Sequence, residues 1–213
     1  MFQTLYHLQV FKTRLDIDNE ALAKACIPTY NYEKEDHNQA DNKDWSDQPL
    51  VKHLKKPVAV PLDDPNVIIL RKEVKRIIHD NIDPRLVEAE MWANVLLPHN
   101  TTMIHTHRLK KDWAFLDVAW VYYAANENDS GKFVCQTHVG GTKTINKIID
   151  PRPGDLLIIP SWLPHMTTHN TSEHKRVSIS GNYNMSTQSE DNYNEVAYDP
   201  NTGIKKLTGF VDE

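Results

Sequence analysis

Two histidines one residue apart, with a third far along the chain, have a spacing that could hold a metal ion. Alternate residues of a β-strand project from one face, so the imidazoles of His105 and His107 can converge on one ion. A pair of this kind also occurs by chance in a chain with 11 histidines. Its interpretation as a metal site therefore depends on His165, which follows a short apolar strand.

The sequence at 153–164, just before His165, predicts a short strand that is ended by a proline-containing segment. Pro153-Gly154-Asp155 indicates a tight turn, and residues 156–159 form an apolar run suited to a core strand. Residues 160–164, with a proline at each end, then interrupt the pairing and place His165 at the strand edge. The alternative interpretation is an ordinary turn with a capping histidine.

Arg176 opens a further predicted strand and could bind an acid. With a period of two, Arg176, Ser178 and Ser180 share one face, whereas Val177 and Ile179 take the other. An arginine that faces a packed interior needs an anionic partner, because burying an unpaired charge is costly. A carboxylate ligand would supply that partner, and Ser178 could donate a second hydrogen bond to it.

The elements that must position these residues are mainly strands. A strand at 4–15, a helix at 19–26, a polar loop at 31–48 and a helix at 64–81 are predicted for the first part of the chain. Strands are then predicted at 87–95, 116–123, 132–136, 142–149, 155–159 and 176–183. Strands at such regular spacing favour a sandwich or barrel over alternating strands and helices.

Composition narrows the classes of function. The chain has 213 residues and a net charge of −5, so it shows no basic footprint for nucleic acid and no polybasic patch for a membrane surface. The two cysteines, Cys26 and Cys135, lie far apart and suit a reducing cytoplasm. We find no nucleophile motif and no phosphate-binding glycine loop in the sequence. The length fits a single domain, and oligomeric state cannot be read from it.

A longer pattern carries a resemblance to a known family. It comprises His105-x-His107, Val121-Tyr122-Tyr123, Gly131-Lys132-Phe133, the segment from Pro153 to His165, and Arg176-x-Ser178-x-Ser180-x-Asn182. Over about residues 90–184 the chain resembles the 2-oxoglutarate/Fe(II) oxygenases frequent in bacteria and their phages. The resemblance implies a mainly β fold, the double-stranded β-helix or cupin-like jelly roll, with flanking N-terminal helices. From the order of the predicted elements we expect one domain with an N-terminal strand and helix support region at 1–83, a jelly-roll catalytic core at 84–184 and a C-terminal hairpin extension at 185–213.

The resemblance also implies chemistry and cofactors. Such enzymes use Fe(II), 2-oxoglutarate and O2, and they oxidise a substrate C–H bond while 2-oxoglutarate becomes succinate and CO2. By this likeness His105, His107 and His165 would bind iron, and Arg176 and Ser178 would hold the far carboxylate of 2-oxoglutarate.

Further residues receive weaker assignments. Tyr122, or Tyr123 if that residue faces inward, would add a hydrogen bond to the same carboxylate. Trp113 and His138 are candidates for substrate contacts, although a core tryptophan and a loop histidine are equally ordinary interpretations. The loops at 31–48 and 108–113 are where we expect substrate selection.

The chain departs from the family at the second ligand. Related oxygenases carry an acidic residue where this sequence has His107. Three interpretations follow: His107 binds and makes a three-histidine site, Asp112 or Asp117 supplies a carboxylate, or two histidines and water hold the metal.

Two other classes of protein stay open. A cupin-type three-histidine dioxygenase without 2-oxoglutarate would explain the histidines but give Arg176 and Ser178 no task. A non-catalytic jelly-roll binding or structural module would use neither. For the oxygenase we expect a small molecule, or a peptide or protein side chain, as substrate, and neither nucleic acid nor a membrane as partner.

Overall fold

The computed structural model describes residues 10–27, 60–107, 117–138 and 144–185, and the backbone of short strands at 52–53, 196–198 and 205–207. The side chain of His138, at the end of one of these ranges, is not described. The predicted polar loop at 31–48 and the loop at 108–113 lie outside the described residues. In the described part of the chain, no helix has the length and apolar character needed to cross a membrane.

Two helices precede the main sheets, and each begins at an aspartate that caps it. Helix α1 spans Asn19–Cys26, and the side chain of Asp18 accepts a hydrogen bond from the backbone N–H of Ala21. Helix α2 spans Pro65–Asn81, and Asp64 accepts from two N–H groups of its first turn. These contacts satisfy donors that a helix start leaves unpaired, which explains why both helices begin where predicted.

Twelve strands are described, numbered in chain order: β1 Phe11–Arg14, β2 Lys52–His53, β3 Leu86–Leu96, β4 Asn100–His105, β5 Val118–Ala125, β6 Phe133–His138, β7 Thr144–Ile149, β8 Asp155–Pro160, β9 His165–Thr167, β10 Arg176–Met185, β11 Val196–Tyr198 and β12 Lys205–Leu207. One sheet has the order β1-β8-β5-β10-β3, and the other has the order β2-β4-β9-β6-β7. Strands β11 and β12 form a separate antiparallel pair. All neighbours in the two five-stranded sheets are antiparallel except β2 and β4.

The first sheet has a different apolar layer on each face. On one face, alternate residues of β5, β8 and β10 pack with the buried sides of α1 and α2, including Tyr122, Ile158 and Ile179. On the other face, Tyr123 and Leu157 belong to a second cluster that includes Phe133 and Leu163 from the opposing half of the molecule. Two sheets with helices on an outer face confirm the predicted double-stranded β-helix.

The period-two prediction for β10 is confirmed. Val177 and Ile179 belong to the helix-side core, whereas Arg176, Ser178 and Ser180 line a pocket on the opposite face of the sheet. Strand β3 pairs with the whole length of β10, with an irregularity in register between Asn182 and Tyr183. The polar face of β10 is thereby directed at the second sheet.

Candidate metal and anion site

Two of the three predicted ligands face each other across paired strands. His105 ends β4, His165 begins β9, and the two residues are register partners in this antiparallel pair. Directly opposed residues of a β-ladder bring their side chains together, and the ring centroids lie 4.4 Å apart. The pairing of β4 with β9 therefore brings together two histidines that are far apart in the sequence.

His107 reaches the same point from outside the strand, which differs from the predicted shared-face arrangement. Strand β4 ends at His105, and the backbone N–H of His107 donates to the carbonyl of Ser161 at 2.8 Å. This bond ties His107 to the proline-flanked segment that precedes His165. Its ring stacks on that of His165 with centroids 4.9 Å apart, and one nitrogen from each of the three histidines lies within 4.8 Å of the others.

Each imidazole has one nitrogen engaged with an oxygen. Nδ1 of His105 is 2.7 Å from the carbonyl of Met103, and Nδ1 of His165 is 2.8 Å from the carbonyl of Leu163. A carbonyl oxygen only accepts, so these Nδ1 atoms carry the hydrogen and donate it. In the neutral ring Nε2 then bears the free lone pair, which is the form that binds a metal.

Burial keeps two of these rings neutral. Desolvation, reinforced by nearby His105, lowers the pKa of His107 to about 4. The same causes, with desolvation the larger, lower the pKa of His165 to about 3. Both imidazoles are therefore neutral at neutral pH, and each offers the unprotonated nitrogen that metal binding requires.

The cluster fits a divalent metal ion. Nε2 of His107 and Nε2 of His165 lie 3.1 Å apart. Two nitrogens that each lie about 2.1 Å from one metal, at a right angle, would be about 3.0 Å apart. Two bare lone pairs at this distance repel unless a cation lies between them, so the chemistry of the donor set favours an ion between these rings.

No carboxylate joins the cluster among the described residues. Asp117 is buried, but its Oδ1 accepts a hydrogen bond from the backbone N–H of Met185 at 3.1 Å. Burial also raises the pKa of the Asp117 carboxyl. Asp112 lies outside the described residues, so its proposed role stays a prediction.

Arg176 lies in the same pocket as the three histidines. Its side chain is almost completely buried, with a relative exposure of 1%, and its guanidinium carbon lies 4.8 Å from the centre of the Tyr123 ring. Nε and Nη1 are buried and have no hydrogen-bond partner among the described residues. Burial lowers the pKa of Arg176, because a buried guanidinium without an anion beside it pays the cost of desolvating its charge.

The prediction that Tyr122 binds this anion is wrong, because Tyr122 lies on the other face of β5. Its ring is buried in the helix-side core, and its hydroxyl donates to Oδ1 of Asn19 in α1. The next residue, Tyr123, faces the pocket, and its buried hydroxyl has no hydrogen-bond partner in the described part of the chain. Burial raises the pKa of Tyr123 to about 12, so the hydroxyl remains a donor.

The other predicted site residues have mixed outcomes. Ser178 is buried and lines the pocket beside Arg176. Trp113 lies outside the described residues, and His138 ends β6 with a side chain that is not described. The substrate roles assigned to these last two stay predictions.

Three residues at the site were not assigned a role from the sequence. Nδ1 of His107 is 2.9 Å from Oδ1 of Asn182, whose Nδ2 donates to Glu90 at 2.5 Å. The indole of Trp92 stacks on the ring of His107, with centroids 5.5 Å apart. Asn182 is the next residue after Arg176, Ser178 and Ser180 at every second position of the strand. The same alternation, extended by one residue pair, could therefore have identified it.

The family comparison agrees with this geometry. Residues 90–182 match the model of a family described as putative 2OG-Fe(II) oxygenase. The match covers a little under half of the chain. A match to this family implies an oxidoreductase with Fe(II) as cofactor and with 2-oxoglutarate and O2 as co-substrates. The three histidines and Arg176 all lie within the matched range.

Solved structures share the oxygenase fold. A Pseudomonas putida prolyl-4-hydroxylase is 13% identical, with a TM-score of 0.55 over 84% of this chain and 94% of that one. AviO1 from Streptomyces viridochromogenes Tue57 is 12% identical, with a TM-score of 0.54 over 78% of this chain and 82% of AviO1. At these identities the likeness concerns the fold alone.

A third match is less extensive. The α-ketoglutarate-dependent carbocyclase SnoK is 15% identical, with a TM-score of 0.47, and the match covers 56% of this chain and 58% of SnoK. The chain thus spans a little over half the length of that structure. No curated protein matches the sequence.

Proposed function

We propose that the chain is a 2-oxoglutarate- and Fe(II)-dependent hydroxylase with iron held by His105, His107 and His165. In this proposal Arg176 holds the far carboxylate of 2-oxoglutarate. Bound iron would supply the reaction of O2 with 2-oxoglutarate and the substrate: one oxygen atom would enter the substrate C–H bond as a hydroxyl, and the other would enter succinate as 2-oxoglutarate loses CO2. The family match supports the oxidoreductase class. The presence of the three histidines and Arg176 in one pocket supports their roles in binding the metal and the carboxylate.

The observation that carries the proposal is the buried guanidinium of Arg176, two of whose nitrogens have no hydrogen-bond partner among the described residues. These two nitrogens are Nε and Nη1, and Arg176 lines the same pocket as the three histidines that we propose as metal ligands. A diacid that chelates the metal at one end would bring its other carboxylate to this guanidinium. A ligand whose single acidic group binds the metal would have no second carboxylate to pair with Arg176.

The protein residues around the diacid orient it and exclude water. Arg176 would donate charge-assisted hydrogen bonds, the stronger kind, to the carboxylate. Ser178 and Tyr123 are buried beside it and offer hydroxyl donors to the same group. Leu96, Phe133 and Ile159 add apolar surface to the pocket, which strengthens these electrostatic contacts by lowering the local dielectric.

Anaerobic titration tests the proposal directly. Protein loaded with Fe(II) should bind 2-oxoglutarate saturably by calorimetry, and binding should weaken strongly without metal because one end of the ligand then has no partner. Admission of O2 should convert 2-oxoglutarate to succinate. Binding that is indifferent to Fe(II), or absent, would contradict the proposal.

A three-histidine dioxygenase that does not use 2-oxoglutarate is the second candidate. It is favoured by one observation, the lack of a carboxylate in the histidine cluster among the described residues. It leaves the guanidinium of Arg176 without an anion. Uptake of O2 that is unchanged by 2-oxoglutarate would select this candidate.

The substrate and location are proposed at a coarser level. We infer a small molecule or an exposed peptide side chain as substrate, since the exposed edge of the cluster is formed by His105. We also infer a cytoplasmic location. Cys26 and Cys135 are both buried and lie far apart in the sequence, which suits a protein kept in a reducing compartment.

A further inference from the structure

We propose that Glu90 and Asn182 are positioning residues that fix the imidazole of His107 in the tautomer with hydrogen on Nδ1 and a bare Nε2. The proposal rests on the metal site proposed above and adds to it how the unusual second histidine is oriented.

The three residues form a chain of hydrogen bonds that runs inward from the surface. Glu90 is exposed on β3, and its Oε1 lies 2.5 Å from Nδ2 of Asn182. Asn182 is buried on β10, opposite Glu90 in the strand register. Its Oδ1 lies 2.9 Å from Nδ1 of His107. The chain ends at a ring whose other nitrogen belongs to the metal cluster.

The direction of every bond follows from the exposed end. An ionised carboxylate only accepts hydrogen bonds, so the group that Asn182 turns toward Glu90 must be its NH2. The amide oxygen then faces His107, and this oxygen also only accepts. Nδ1 of His107 must therefore be the donor, which leaves Nε2 without hydrogen in the neutral ring.

His107 needs this support more than the other two histidines. Nδ1 of His105 and Nδ1 of His165 donate to carbonyls only two residues away on their own strand or turn. The acceptor for Nδ1 of His107 lies 75 residues away in sequence. Stacking on Trp92 fixes the plane of the His107 ring. It makes no hydrogen bond to Nδ1 or Nε2, so it does not determine which of the two nitrogens carries the hydrogen.

The first experiment measures the tautomer in metal-free protein. With 15N-labelled histidine, long-range 1H–15N correlation spectra at neutral pH should show His107 with hydrogen on Nδ1 in the wild type. Asn182→Ala should give a mixture or the opposite tautomer. Glu90→Ala, at an exposed position, should also give a mixture because the amide of Asn182 is then free to turn over.

The second experiment measures anaerobic Fe(II) affinity. Loss of an outer-shell hydrogen bond to a ligating histidine typically lowers metal affinity about 10–100-fold, and we expect this for Asn182→Ala. Asn184→Ala is the matched control, an asparagine on the same strand that does not line the pocket. The double variant Glu90→Gln with Asn182→Asp exchanges the amide and the carboxylate, so it should restore affinity toward wild type.

The outcomes separate this proposal from the one on which it rests. A wild-type tautomer in both Asn182→Ala and Glu90→Ala, or wild-type Fe(II) affinity in Asn182→Ala, would overturn the positioning role. Wild-type protein that bound no Fe(II) would instead overturn the proposed function, whereas the tautomer spectra of metal-free protein would still decide the role of the pair.

Discussion

Tyr122 and Tyr123 are neighbours in the sequence, and their side chains lie on opposite faces of one sheet. The hydroxyl of Tyr122 donates to Asn19 of helix α1, whereas the hydroxyl of Tyr123 is buried beside Arg176 without a described partner. One residue therefore joins the sheet to its supporting helix, and the next faces the proposed ligand.

We expect this contrast to appear in two phenylalanine variants. Tyr122→Phe should lower the free energy of unfolding by about 0.5–1.5 kcal/mol, the net value of one hydrogen bond, and leave 2-oxoglutarate affinity unchanged. Tyr123→Phe should leave stability unchanged and weaken 2-oxoglutarate binding by up to about tenfold, for the same reason. Urea denaturation and calorimetry measure the two effects, and the reverse pattern would contradict the assignment.

Substitution of His107 tests the three-histidine site. His107→Ala should lower Fe(II) affinity by more than the roughly 100-fold upper effect of an outer-shell change, because a ligand itself is lost. His107→Asp should retain binding, since two histidines and a carboxylate are an established iron donor set. His174→Ala, at an exposed histidine paired with Glu127, is the control. Unchanged iron occupancy in His107→Ala would remove this residue from the ligand set.

Substitution of Arg176 should separate stability from ligand binding. Nε and Nη1 of the buried guanidinium have no hydrogen-bond partner among the described residues, so Arg176→Met should be neutral or stabilising in the ligand-free protein, by up to about 4 kcal/mol. The same variant should lose at least about tenfold in 2-oxoglutarate affinity, because hydrogen bonds to charged groups contribute about 1.5–3 kcal/mol each.

Thermal unfolding under anaerobic conditions with Fe(II) measures both effects of Arg176→Met. Excess 2-oxoglutarate should raise the melting temperature of the wild type, because a ligand that binds only the folded state stabilises it. It should raise that of the variant far less. Arg152→Ala, at an exposed arginine, is the control. An equal ligand-induced shift in Arg176→Met would exclude the guanidinium from the binding site.

Much of the site could be predicted because it follows from strand periodicity. Alternation places Arg176 and Ser178 on one face whatever the strands around them do. Helix α2 could be predicted equally well, because its start depends on the cap that the neighbouring Asp64 provides. In both cases the information lies within a few residues of sequence.

The remainder depends on long-range pairing, which a single sequence does not specify. The choice between Tyr122 and Tyr123 follows from which face of β5 meets α1, and this depends on how the sheet packs. His107 lies beyond the end of β4 and is held by Ser161, so its position is not a matter of strand alternation. Glu90 and Asn182 meet only because β3 pairs with β10.

Gly181 shows how tightly this last pairing is built. A Cβ atom at Gly181 would lie 2.6 Å from the carbonyl oxygen of Glu90 and 2.7 Å from Nε1 of Trp120. Neither neighbour can retreat easily, because one is backbone of the adjacent strand and the other belongs to a buried indole. We expect Gly181→Ala to cost about 1–3 kcal/mol of stability, the usual penalty of overpacking.

The same substitution should reach the metal site. A shift of β3 away from β10 would lengthen the contact between Glu90 and Asn182, so Fe(II) affinity should fall together with stability. Asn184→Ala on the same strand serves as the control in urea denaturation and anaerobic Fe(II) titration. A Gly181→Ala variant within about 0.5 kcal/mol of wild type, the range of an ordinary surface substitution, would show that the strands are less closely packed than the structure has them.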